Sequence, residues 1–195
     1  MKLYHVSYTP VQEFVPRVPE CRADGEDAIT PRICFTPRIE FCINAKPSGM
    51  LPIIASAQIG IPLAIYVYEI DLADYRHKEL LTPPEVEQNL HCSDATFNHE
   101  YCLLCKPRHV TVSRKEIVGY EVEWHDELPY LKRLIAVESN SEWSFFWENI
   151  AGIMNKKSDC HLDVPALICD FGMEFPQKVL STYMTALKKK ERQLL

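Results

Sequence analysis

The sequence predicts an α+β fold, on three observations. Eleven of the fourteen prolines fall within the first 107 residues, where they favour loops and strands over long helices. Short apolar runs rich in β-branched and aromatic residues follow one another from residue 63 to residue 124. Two stretches whose apolar residues repeat with helical spacing come last, at residues 141–154 and 176–192. Strands first and helices afterwards is the order of an α+β domain, not of a doubly wound parallel sheet.

Residues 2–6 are the first strand. The proline-rich, charged segment 9–31, with Arg22, Asp24, Gly25, Glu26 and Asp27, reads as an irregular loop, and a loop of that length inside a domain is usually functional. Residues 33–35 form a second strand. Thr36 and Pro37 then open a short helix as N-cap and first helical residue, with Ile39, Cys42 and Ile43 spaced along one face. The clearest strand is residues 63–72, and further strands are expected at 100–105, 109–113 and 117–124. In the first terminal helix Trp143, Phe146, Trp147, Ile150, Ile153 and Met154 share a stripe. In the second, Val179, Tyr183, Ala186 and Leu187 do so ahead of a lysine-rich end that suits the helix dipole. The expectation is a single domain over 1–195, with a sheet core at 1–124 and packed helices at 141–195.

Composition narrows the function classes. With 47% apolar and 25% charged residues, the chain has the material for a core and is not expected to be disordered or fibrous. The longest apolar run, residues 51–72, is broken by Gln58, Gly60, Pro62, Glu69 and Asp71, too often for a membrane helix. The opening Met1-Lys2-Leu3-Tyr4-His5 has no basic region followed by an apolar stretch, so a soluble, cytoplasmic protein is expected. A net charge of −6 argues against a protein that coats nucleic acid. A local cluster of Arg17, Arg22, Arg32 and Arg38 still suits one small phosphorylated ligand, because guanidinium matches phosphate bidentately.

Some motifs are missing. The six glycines stand singly, so neither a P-loop nor a dinucleotide fingerprint can be built, and there is no serine-hydrolase elbow. Eight cysteines without a secretory leader read as free thiols, metal ligands or a redox pair. Cys102 and Cys105 have the spacing of a zinc knuckle, which His91, Cys92, His99 or His109 could complete. Against this, Leu103 and Leu104 lie between them in an apparent strand, which would turn the two thiols to opposite faces. Reduced, partly buried thiols are the favoured reading and no metal is assigned.

Tyr4-His5-Val6-Ser7 at the start, then a long loop, then Ile33-Cys34-Phe35-Thr36-Pro37 leading to a short helix with Ala45, resembles the amino-terminal half of the ADP-ribosyltransferase superfamily in its histidine-tyrosine-glutamate branch. Small bacterial and phage transferases, anti-CRISPR ones among them, are the nearest sort of relative. The resemblance spans roughly residues 3–124 on short, degenerate motifs. It implies a split antiparallel sheet around an NAD-binding cleft. It also implies that His5 bonds the nicotinamide-side ribose or amide, that Ser7 helps to seat it, that Phe35 stacks on nicotinamide and that Thr36 is the companion hydroxyl. The family commonly has tyrosine where this chain has Phe35, so the ring is kept and a hydroxyl is lost. For the family's glutamate the best match is Glu100, which follows a polar loop, with Asp94 as second choice. Arg17, Arg22 and Arg32 are expected to meet the pyrophosphate, on charge and position alone.

The implied reaction is cleavage of the nicotinamide–ribose bond of NAD and transfer of ADP-ribose to a macromolecular acceptor. Nicotinamide is already a cationic leaving group, so the chemistry asks only for a cradle around an oxocarbenium-like centre with a carboxylate beside it. A protein acceptor is expected before a nucleic acid, and no membrane partner is expected; oligomeric state is left open. Two alternatives stay open beside this one: an interaction module stabilised by zinc or thiols at residues 91–109, and a transferase-like inhibitor without catalysis.

Overall fold

The computed structural model describes residues 1–138, apart from residues 9, 20–21, 23–24, 47–48, 60–62 and 126–127. Within them the chain runs β1 (Lys2–Ser7), β2 (Ile33–Phe35), α1 (Ile39–Asn44), α2 (Leu51–Ile59), β3 (Leu63–Asp71), a 3₁₀ turn at Leu72–Asp74, β4 (Leu80–Leu81), α3 (Pro83–Leu90), β5 (Tyr101–Leu103), β6 (Thr111–His125) and β7 (Leu128–Glu138). The strands form two sheets, β1-β3-β6-β7 and β2-β5-β4, with every pairing antiparallel. The architecture is α+β, as expected. The helices expected at 141–154 and 176–192 lie outside the described residues. No helix among those described is long and apolar enough to cross a membrane.

β3 organises the larger sheet. Flanked by β1 and β6 and covered on both faces, it is a nearly unbroken apolar run instead of an alternating one. Leu63, Ile65 and Val67 face a core with Val6, Ile43, Met50 and Ile53, so α1 and α2 pack on this side. Side chains alternate along a strand, so Tyr68 and Ile70 face the other way, and Ile70 joins Leu3, Ile33, Phe35, Leu80 and Leu103 in a second core. That second core is built from both sheets. The remaining face of the small sheet, with Cys34, Leu81 and Cys102, packs on Val86 and Leu90 of α3 and on Cys92 and Ala95.

The sheets touch where β1 passes β2. Tyr4 N–H donates to the Thr36 carbonyl at 2.7 Å and Thr36 N–H returns a bond to Tyr4 O at 2.9 Å, an isolated bridge of one residue pair. This pairing corrects the expected start of α1. Thr36 is held extended by Tyr4, and the N-cap is Arg38. The Thr36 hydroxyl donates to Arg38 O at 2.6 Å and lies 3.0 Å from Cys42 Sγ, which itself donates to Tyr4 O at 2.9 Å. Helix α1 is thereby fastened to the point where the sheets meet. The strands expected at 109–113 and 117–124 are one strand, β6, whose pairing with β7 is irregular between Ile117 and Gly119 and between Glu121 and Val122.

Candidate active site

A cleft of about 790 Å³ is lined by residues of β1 and β2, by Pro19, Arg22 and Glu26 of the long loop, by the end of α1 and by the segment before β5. Its size is within the range of cofactor sites. His5, Cys34 and Thr36 line it from the strands, Arg22 and Glu26 from the long loop, Asn44 and Lys46 from the end of α1, and Cys92, Asp94 and Glu100 from the loop before β5.

His5 enters the cleft from β1. Its Nδ1 is 2.9 Å from the Cys34 carbonyl; a carbonyl only accepts, so Nδ1 carries the proton and Nε2 is left as an acceptor. The ring is wedged edge-on among Phe14, Phe35 and Tyr68, with centroids 5.4, 6.0 and 6.0 Å away. Burial, reinforced by the positive charge of Lys46, lowers its pKa to about 4, so the imidazole is neutral at physiological pH.

Glu100 stands at the end of the loop before β5. The loop before it is built from short-range backbone bonds, Ala95 N to Cys92 O, Asn98 N to Asp94 O and Glu100 N to Ala95 O, which bring Cys92, Asp94 and Glu100 side by side. Glu100 is 9% exposed, and burial raises its pKa; the Cys34 thiol acts in the opposite direction, and the charges of Asp94 and Glu26 push it further up. Cys92 Sγ–H points at Asp94 Oδ1, 3.3 Å away, and lies 4.0 Å from Glu100 Oε2. Asn98, itself buried, donates to Asp94 Oδ2 at 2.8 Å and so fixes the direction of that carboxylate.

Five of the nine residues singled out in the sequence line this cleft: His5, Thr36, Arg22, Asp94 and Glu100. The other four lie apart from it. Ser7 ends β1 opposite Tyr66, two residues beyond His5. Phe35 is fully buried in the core between the sheets, because Cys34 and Thr36 take the cleft-facing side of β2 and the pleat turns Phe35 the other way. Its ring reaches the site only as an edge against His5, which corrects the expectation that it stacks on a bound ring. Arg17 is an exposed residue whose backbone bridges Arg32. Arg32 is 3% exposed, and its guanidinium is taken up by Glu26, by Asp27 Oδ1 at 3.3 Å and by the Thr30 carbonyl at 3.0 Å. Its charge is already paired with neighbours at residues 26–30, so the expected pyrophosphate contact is not available to it. Arg22 is different: it is exposed at the cleft, bonded to the Pro19 carbonyl.

Lys46 and Cys34 are among the cleft residues that were not singled out from the sequence as site residues. Lys46 follows α1, with its ammonium 5.8 Å from the centre of the Tyr8 ring, and Cys34 reaches the cleft between two core residues. A lysine beyond a short helix carries no motif; only the fold brings it into the same cleft as His5. The Cys102 and Cys105 thiols do diverge, one packed against α3 and the other against the core between the sheets. Comparison with known proteins gave no matching family model, no matching curated relative and no matching solved structure.

Proposed function

We propose that the protein is an ADP-ribosyltransferase that cleaves the nicotinamide–ribose bond of NAD and passes ADP-ribose to a macromolecular acceptor, a protein side chain, in the cytoplasm. One observation carries the reading: His5, Thr36 and Glu100, picked out in the sequence 95 residues apart from first to last, line one cleft. The two antiparallel sheets, which contribute His5 from one and Cys34 from the other to that cleft, support it. So does its volume of about 790 Å³.

In this reading NAD lies with its nicotinamide end near His5. The neutral imidazole, with Nδ1–H on the Cys34 carbonyl, accepts at Nε2 from a ribose hydroxyl or the carboxamide. Glu100, once ionised, accepts the ribose 2′-hydroxyl and stabilises positive charge as the bond to nicotinamide lengthens. Low exposure strengthens that electrostatic effect. Lys46 and Arg22 replace Arg17 and Arg32 as partners for the pyrophosphate, since both line the cleft. Asp94 lies beside Glu100 and, with Glu26, keeps that wall negative for an approaching acceptor.

The test is nicotinamide release from NAD by the purified protein mixed with cell lysate, with mass spectrometry of the lysate proteins. Wild type is expected to release nicotinamide and add one ADP-ribose to a protein, and Glu100→Gln to lose about 10²- to 10³-fold in rate. NAD binding without release would instead support the silent, transferase-like inhibitor.

A further inference from the structure

The segment before β5 carries a second kind of chemistry. Cys92 Sγ, Asp94 and Glu100 each present a ligand atom to the cleft, all within 4.8 Å of one another. In a tetrahedral site with a metal–sulfur bond and metal–oxygen bonds of ordinary length, sulfur and oxygen ligands stand about 3.6 Å apart. The Cys92 Sγ distances to Asp94 Oδ1 and Glu100 Oε2, 3.3 and 4.0 Å, bracket that value.

Two further features separate this cluster from a chance gathering of acidic groups. Glu100 is 91% removed from solvent, with the Cys92 and Cys34 thiols and the Asp94 and Glu26 charges around it and the Arg32 charge, itself paired with Glu26 and Asp27, acting against them; a bound cation would relieve the remaining desolvation and repulsion. Asn98 holds the far oxygen of Asp94, which is how second neighbours aim a ligating carboxylate at a metal.

We propose that Cys92, Asp94 and Glu100 form a binding site for a thiophilic divalent cation of the zinc type, with the fourth position open to the cleft. On binding, the Cys92 thiol gives up its proton and becomes a thiolate ligand, and any proton on Glu100 is released as well. Binding therefore tightens as pH rises. The cation takes the carboxylate that the transferase reading assigns to the ribose, so it blocks that reaction. The site does not depend on that reading, because it needs no NAD.

The experiment is titration of the reduced full-length protein with Co²⁺, followed through the thiolate-to-cobalt charge-transfer band, with Zn²⁺ as competitor. One equivalent of Co²⁺ is expected to give the band and Zn²⁺ to displace it. Cys92→Ser is expected to abolish the band. Asp94→Asn, at an exposed position that leaves the core intact, is expected to weaken binding at least about tenfold. Cys34→Ser is expected to keep the band. No thiolate band in wild type, a band that survives Cys92→Ser, or a band lost in Cys34→Ser but kept in Cys92→Ser would each overturn the assignment. Should Cys92→Ser fail to fold, unchanged affinity in Asp94→Asn would overturn it alone.

Discussion

His5 and Arg32 are the two side chains whose burial has the clearest measurable consequences. Burial and the nearby Lys46 and Arg17 charges favour neutral His5, partly offset by the bond to the Cys34 carbonyl, and bring its pKa from 6.5 to about 4. The unfolded chain thus binds more protons than the folded one between those values, and stability falls as pH drops from 6.5 to about 4. The size is about 3 kcal/mol. Glu100 acts with the opposite sign above 4.5, since its raised pKa makes the folded chain the better proton binder there. A comparison of urea denaturation for wild type and His5→Gln across this window isolates the histidine: the wild-type curve is expected to fall more steeply toward acid, and parallel curves would contradict the burial of a neutral ring. For Arg32, replacement by Met leaves Glu26 and Asp27 facing a position with no charge. The loss expected in the same assay is about 3 to 5 kcal/mol, as for other buried pairs stripped of one partner. A loss below about 1 kcal/mol would mean the guanidinium is a surface charge.

Among the elements, α3 is held by its first turn. The Glu85 carboxylate accepts from Thr82 N–H at 2.8 Å and from the Thr82 hydroxyl at 2.6 Å, and Pro83 opens the helix. Thr82→Ala is therefore expected to cost about 1 kcal/mol in a thermal or urea melt. A neutral result would show that the burial of Val86 and Leu90 fixes the helix unaided. The Thr-Pro-Pro-Glu pattern stood in the sequence as a helix start, yet α3, only eight residues long, was not expected. Strands were legible where apolar residues cluster: β1, β2 and β3 lie where the pattern placed them, within a residue or two. β4 has two residues and leaves no pattern to read. β7 interleaves Lys132 and Arg133 with apolar residues on a partly exposed edge, so its signal was weak. Thr36 misled for a physical reason, since local capping chemistry competes with pairing to a strand about thirty residues away and here the pairing wins.

At the scale of the molecule, two sheets linked by the Tyr4–Thr36 bridge and a shared apolar core stand beside a cleft that draws on β1, the long loop, the end of α1 and the loop before β5. The site was legible as far as residue type and order reach: His5, Thr36, Asp94 and Glu100 were chosen from motifs and meet in space. What could not be read is which face of a strand a residue takes and which charges are already paired. Phe35 was lost to the pleat, Arg32 to two carboxylates, and Lys46 was gained from a helix end that carries no motif. NAD cleavage at this cleft is read directly from the nicotinamide released by wild type and by Glu100→Gln, measured side by side in lysate freed of metal by chelation, so that the cation site does not interfere. Wild type is expected to release nicotinamide, and the variant to do so about 10²- to 10³-fold more slowly. Equal release by both proteins, or no release and no NAD binding by wild type, would contradict the transferase reading.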